Sequence, residues 1–223
     1  MKTWDDIWKN YKGPSKAERW LIDERHKIIK NILNSLNLKK IKTLEVGCGY
    51  ASNSRLLEKE GINTFCLDKS RKAIDTIKRD IKNSFYGDAR ELPFKKNSFN
   101  LVFSAGLLEH FSKPEKIIKE MARVVKNEGI VLNFVPGRYS IWQLYRILQG
   151  RKWKHGYEES YTHKKLSERI KESLRKEKFA LVKSGGVDPF SVNGIFLKLF
   201  GIKLPIKKSL KNAYTKIYQA YKK

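Results

Sequence analysis

A chain of 223 residues in which 48 Lys and Arg face 23 Asp and Glu carries a formal net charge of +25, and its 40% hydrophobic content suffices for one core. No run of eighteen apolar residues is present, and the opening Met1-Lys2-Thr3-Trp4-Asp5-Asp6 lacks the basic-then-apolar pattern of a secretory signal, so neither a membrane span nor export is expected. Cys48 and Cys66 are too few for a disulfide framework or a metal cluster, and they read as reduced thiols of a cytoplasmic protein.

The positive field attracts phosphates, whether of nucleic acid, of a lipid surface or of an anionic metabolite. Thermophile compositions rich in lysine usually balance it with glutamate. Here the acids are missing, so heat adaptation does not account for the imbalance.

In chain order, Trp4 to Leu36 places Trp20, Leu21, Ile28, Ile29, Ile32 and Leu33 at helical spacing. A short β-like run from Ile41 ends at Gly47. Helix Ser54 to Glu60 is stopped by Gly61, strand Ile62 to Leu67 follows, and a helix is expected from Ser70 to Asn83. Ser84 to Tyr86 and Phe99 to Ser104 read as strands. Pro114 to Val125 reads as an amphipathic helix with proline in its first turn, and Gly129 to Val135 as an apolar strand stopped by Pro136-Gly137. Strands separated by such helices imply βαβ crossovers and a parallel sheet covered on both faces. Ligands of such sheets bind beyond the carboxyl ends of the strands, near the point where strand order reverses.

The strand ends carry the candidate chemistry. After the first strand stands Glu45-Val46-Gly47-Cys48-Gly49-Tyr50-Ala51. A dinucleotide fingerprint fails, because Ser52 takes the place of its third glycine, and no Gly-Lys-Ser/Thr closes a P-loop. Glu45 would repel a pyrophosphate; it suits a cationic cofactor that bears an amino acid. The second strand runs into Asp68, near the ~20-residue offset of an acid that holds ribose hydroxyls, although a turn or helix-capping aspartate fits equally well. The third ends in Gly87-Asp88-Ala89, and the fourth runs through Ser104-Ala105-Gly106 to Leu107-Leu108-Glu109-His110-Phe111. Four successive strand ends thus carry small or acidic residues, which packing alone does not readily produce.

The run Leu44-Glu45-Val46-Gly47-Cys48-Gly49 resembles the cofactor loop of class I S-adenosylmethionine-dependent methyltransferases. Asp68, Gly87-Asp88-Ala89 with Leu92-Pro93-Phe94, and Leu107 to Phe111 match later motifs of that family in order and spacing. The nearest branch is the small-molecule one that includes quinone-biosynthesis enzymes, and the resemblance spans roughly residues 41 to 136. It implies S-adenosylmethionine as cofactor. Glu45 and the loop Gly47, Cys48 and Gly49 would lie against its methionine part, and Asp68, followed by Lys69, at the ribose. Asp88 would meet the adenine amino group with Ala89 beside the ring, and Ser104, Ala105 and Gly106 would sit near the carboxylate and sulfonium. Ala51 departs from the third glycine that many members carry. Neither an Asp/Asn-Pro-Pro-Tyr run nor a cysteine follows the fourth strand, which disfavours exocyclic adenine amines and cytosine C5 as acceptors.

The resemblance implies a Rossmann-like α/β domain with a doubly wound, mostly parallel sheet of six or seven strands. Residues 1–188 would form it: a helical cover over 1–40, a cofactor-binding core over 41–136 and a substrate-covering insert over 137–161. Where the acceptor loses a proton, His110 is the candidate base because its ordinary pKa lies near 6.5. His155 and His163 are weaker candidates, and His26 reads as structural. No metal is expected. The insert interleaves Arg138, Tyr139, Trp142, Tyr145, Arg146, Arg151, Lys152, Trp153, Lys154 and Tyr157 before its first acid, Glu158. Such a segment suits a pocket for an anionic or aromatic acceptor, a lipid interface or stacked bases of RNA, and Trp142, Tyr145 and Leu148 also fit a packed helix. Residues 189–223 hold no acid. They read as a basic amphipathic segment, either a helix packed on the domain or one that touches an anionic membrane peripherally. Phe179 to Lys183 supplies one strand of a terminal hairpin whose partner is not evident. The activity expected is methyl transfer to a small or lipid-linked acceptor. The alternatives are an RNA methyltransferase and a cofactor-binding protein without turnover.

Overall fold

The computed structural model describes residues 3–9, 11, 13–138, 158–187 and 216–223. Expectations for residues 139–157, His155 among them, and for 188–215 lie outside the described residues. The elements in order are α1 (Trp4–Lys9), α2 (Lys16–Ser35), β1 (Lys42–Val46), α3 (Ser52–Lys59), β2 (Asn63–Asp68), α4 (Arg71–Ile77) and β3 (Ser84–Tyr86). After these come β4 (Phe99–Ala105), a 3-10 turn (Leu108–His110), α5 (Glu115–Val124), β5 (Val125–Pro136), α6 (His163–Ser173), β6 (Ala180–Val187) and β7 (Lys216–Lys222).

They build one seven-stranded sheet in the order β3-β2-β1-β4-β5-β7-β6. The run from β3 to β5 is parallel, and β7 lies antiparallel between β5 and β6. The sheet, the crossovers and the mostly parallel order match the Rossmann-like methyltransferase expectation. Strand order reverses between β1 and β4, so their carboxyl ends open a crevice.

Alternation along the strands splits the core in two. Leu44, Val46, Val102, Val131 and Val135 pack with α5 and α6 on one face. Leu101, Phe103, Ile130, Leu132 and Phe134 pack with Ile29, Ile32 and Leu33 of α2 on the other. Both faces are covered, which is why these strands read as nearly continuous apolar runs.

Three local differences from the sequence reading have physical reasons. The N-terminal helical stretch is two helices, because Ser15 and Glu18 form a reciprocal capping box that starts α2 afresh. Helix α4 stops at Ile77 rather than Asn83, and the turn that follows tucks Ile81 in against Ile74, Ile77 and Cys66. The last residues form a strand, not a helix: Tyr218 and Ala220 face the α2 side while Tyr221 faces α5 and α6. This is the missing partner of the hairpin. Gly185 stands opposite Tyr218, where a Cβ would come within 2.7 Å of the phenol oxygen. Among the described residues, no helix is long and apolar enough to cross a membrane.

Candidate active site

The carboxyl ends of β1, β2 and β4 and the residues after β3 converge on two neighbouring compartments. The first, about 70 Å³, is lined by Gly47, Asp68, Lys69, Gly87, Asp88, Ala89, Gly106, Leu107, His110 and Phe111, with Trp4 and Trp8 from α1. The second, about 220 Å³, holds Glu45, Cys48 and Ala105 together with Tyr11, Glu18, Arg25 and Tyr50. Trp8 borders both. A groove of about 730 Å³ is larger, but it lies at the other end of the sheet among Lys96, Lys119, Arg123 and Lys223.

The glycine loop after β1 is built for close approach. Gly47 and Gly49 have φ of 68° and 51°, in the left-handed region that favours glycine. A Cβ on Gly47 would stand 2.6 Å from Leu107 Cδ1, and one on Gly49 2.4 Å from the Trp8 ring. Ala51, at the place of the family's third glycine, is also left-handed at φ 52°, so the loop keeps its course with a methyl group in a strained position.

Asp68 ties this loop to the next element. Its Oδ2 accepts from Gly49 N at 2.7 Å, and its Oδ1 accepts from Ser70 N at 2.8 Å, one residue before α4. The carboxyl titrates above the usual range, mainly because it is buried, while its backbone donors pull it back. Asp88 is held differently. Arg90 grips both of its oxygens, at 2.9 and 2.6 Å, and Lys69 Nζ reaches Oδ2 at 3.0 Å. These cations, Arg90 first, hold the Asp88 carboxyl well below the usual carboxylate range.

Glu45 is buried on the α2 and α3 side of β1. Ser54 donates to its Oε2 from Oγ at 2.5 Å and from N at 3.3 Å. Burial still outweighs these bonds and the Arg25 charge, and the carboxyl is pushed up to about 7. Arg25 is half-buried, and its Nε donates to Leu21 O. Burial is also the largest influence on its guanidinium and lowers its pKa, with Glu45 and then Glu109 and Glu18 opposing. Desolvation thus disfavours the charged form of both members of this pair, which makes the compartment receptive to counter-charges.

His110 sits in the 3-10 turn after β4, its ring edge-on to Trp4 at 4.9 Å between centroids. The preceding residue, Glu109, is buried, and its Oε1 lies 3.6 Å from where a Cβ on Gly106 would stand.

The structure therefore gathers Glu45, Cys48 and Ala105 in one compartment and Gly47, Asp68, Lys69, Asp88, Ala89, Gly106 and His110 in the other. Gly49 lies under Trp8 between them. Ser104 is not part of either lining: it is fully buried, and its hydroxyl donates to Asn133 Oδ1 at 2.9 Å. His26 pairs with Glu60, as a structural histidine would. His163 begins α6 and lines neither compartment; burial lowers its pKa. The reading from sequence missed Trp8, Tyr11, Arg25 and Tyr50. A signal for Arg25 existed: Glu18, Ile22, Arg25 and Ile29 recur at helical spacing, which puts a charged pair inside the apolar stripe of α2.

The family described as "Methyltransferase domain" matches residues 44–133. A demethylmenaquinone methyltransferase of Thermotoga maritima is 26% identical over 143 residues, which cover 61% of this chain and 62% of that protein. A ubiquinone/menaquinone biosynthesis C-methyltransferase of Wigglesworthia glossinidia brevipalpis is 32% identical over 145 residues, 55% of this chain and 58% of that one. The chain thus spans about three fifths of the length of these two relatives. Among solved structures, a Thermotoga maritima S-adenosylmethionine-dependent methyltransferase, described as a possible histamine N-methyltransferase, superposes with a TM-score of 0.61. It is 18% identical, with 92% of this chain and 93% of that one covered, and this likeness concerns the fold. Residues 44–133 thus match a methyltransferase domain, and the relatives that align over much of this stretch are named as methyltransferases.

Proposed function

We propose that the chain is a methyltransferase that uses S-adenosylmethionine to methylate a small or lipid-linked acceptor with an aromatic or anionic headgroup. The observation that carries this reading is that Glu45, Asp68, Asp88 and the left-handed Gly47, Gly49 and Gly106 lie at or just beyond the carboxyl ends of neighbouring strands, with His110 among them.

The donor set fits the cofactor's chemistry. Glu45 offers a carboxylate to the amino-acid ammonium, and Arg25 in the same compartment offers a cation to the carboxylate. Asp68 uses its two oxygens on backbone amides, and a carboxylate has lone pairs left for ribose hydroxyls. Asp88 and Ala89 flank the far end, where Lys69 would yield its hydrogen bond to the adenine amino group. When bound, the cofactor supplies an activated methyl group on its sulfonium. The protein's share is orientation and exclusion of water, effects that lower such barriers by about 7–11 kcal/mol. Leu107 and Phe111 would form an apolar wall for the acceptor, and His110 would receive the proton of a hydroxyl or acidic carbon.

The names of the relatives favour a quinone-like acceptor. The net charge of +25 favours an RNA acceptor as the second reading. Incubating the protein with cofactor labelled in its methyl group and a lysate of the source organism, then separating small molecules, lipid, protein and RNA, distinguishes them. Label in the small-molecule or lipid fraction is expected; label in RNA would replace the acceptor assignment. Cofactor binding without label in any fraction would leave a binding protein without turnover.

A further inference from the structure

We propose that α1 is a plug that occupies the cofactor cleft and that the cofactor must displace, rather than a cover that closes over bound cofactor. The proposal rests on the cofactor reading above.

Ligand sites for small molecules have volumes of about 300–1,000 Å³. The two compartments measure about 70 and 220 Å³, and Trp8 lines both. That ring lies directly on Gly49, with Cζ2 2.4 Å and Cη2 2.5 Å from where a Cβ would stand. The face of the loop that glycine keeps open for a ligand is thus filled by the protein's own indole. A molecule that reaches from Glu45 to Asp88 has to pass through the place Trp8 takes.

The plug is held by the groups the cofactor needs, or by their neighbours. Asp5 Oδ1 accepts from Ser70 Oγ at 2.5 Å and from Lys72 N at 3.2 Å, just after Asp68. Tyr50 OH donates to Trp8 O at 2.6 Å, and the Trp8 ring meets Tyr50 at 5.0 Å and Tyr11 at 5.4 Å between centroids. Trp4 stands edge-on to His110, so the same movement would uncover the acceptor side. Docking also crowds like charges: burial is the main reason Asp68 titrates high, and Asp5 adds to it.

The attachment is built to come away. Helix α1 has six residues, none of them buried, and a helix that short is not stable by itself in water. Gly13, at φ 97° with nothing within 4 Å of its absent Cβ, gives a free joint. Ser15 caps α2 separately, so α2 keeps its place and Arg25 stays in the cleft when α1 leaves.

A cover and a plug predict opposite signs. Hydrogen exchange on the full chain, with and without saturating S-adenosylhomocysteine, should show faster exchange of the α1 amides in the complex and slower exchange at Gly47 and Gly49. By calorimetry, Asp5→Ala should tighten S-adenosylhomocysteine binding by about fivefold, the scale of one net hydrogen bond, and Trp8→Ala, which removes the ring contacts with Tyr11 and Tyr50, should tighten it as well, because both raise the fraction of open molecules. Slower exchange of α1 in the complex, with weaker binding by both variants, would make it a cover and overturn the proposal. Slower exchange at Gly47 and Gly49 with α1 unchanged would overturn the plug alone. No binding by wild type or by either variant would overturn the cofactor reading, and the plug with it.

Discussion

With Glu45 at the cofactor's ammonium, as proposed, binding would be coupled to pH, and the size of the effect follows from its surroundings. In the unliganded protein its carboxyl is raised to about 7, with burial as the main cause and the Ser54 bonds and Arg25 opposing. An ammonium bound beside it needs the ionised form. Below pH 7 the protein must therefore release a proton to bind, and affinity for S-adenosylhomocysteine should fall about tenfold per pH unit. Between pH 8 and pH 5.5 the loss should reach about thirtyfold, because roughly 3% of Glu45 is ionised at the lower value. Calorimetry in buffers of different ionisation enthalpy should register close to one proton released per ligand at pH 6. Glu45→Gln should bind weakly at every pH and abolish the slope. The same group acts on stability with a definite sign. A folded-state value above the ordinary 4.5 means that the stabilising contribution is complete below about pH 4.5 and is lost as pH rises through about 7. At about 1.4 kcal/mol per pH unit across that window, Glu45 alone should lower the unliganded protein's stability by about 3 kcal/mol. Denaturant titrations of wild type and Glu45→Gln should diverge in favour of the variant as pH rises from about 4.5 to about 7 and run parallel above that. Flat wild-type affinity from pH 5.5 to 8 would refute the assignment of Glu45 to the cofactor's ammonium.

Asp68→Asn should destabilise the unliganded protein by about 1–3 kcal/mol in chemical denaturation, because the amide presents a donor to either Gly49 N or Ser70 N where each now finds an acceptor. It should also weaken S-adenosylhomocysteine binding at a temperature where the variant is fully folded; unchanged affinity there would remove Asp68 from the site. His110→Ala should keep cofactor affinity and lose turnover by about a hundredfold or more once the acceptor is known. Full turnover in that variant would end its role as a base.

The parallel half of the fold was legible because each βαβ unit repeats the same local signals. Apolar strands end in glycine or an acid, and helices between them carry their own stops. Of the antiparallel edge only β6 was legible, from Phe179 to Lys183, and β7 was not. Tyr214, Ile217 and Tyr221 satisfy a helical period by spacing alone, whereas the sheet uses the alternation of Tyr218, Ala220 and Tyr221, which only pairing with β5 makes visible. The motif acids were legible for a related reason: Glu45 and Asp68 fall in the last two residues of β1 and β2, and Asp88 two residues after β3. Arg25 and Trp8 were missed because they reach the site from outside those ends. One rides on an apolar helix face, and the other sits on a one-and-a-half-turn helix whose docking no local pattern encodes.

Asp68 shows why local pattern left its role open. As a turn residue it would cap the loop and start the next helix; as a ligand residue it would face the crevice. Its two backbone bonds, to Gly49 N and Ser70 N, satisfy the first description. They also orient the carboxylate at the edge of the first compartment and fix the glycine loop relative to β2, which the second description requires. A carboxylate with about four lone-pair sites serves both ends at once. The alternatives are therefore not rivals at this position: the turn is what preorganises the acid. Replacing Asp68 disturbs the loop before it disturbs any ligand contact, so stability and affinity have to be measured in the same variant.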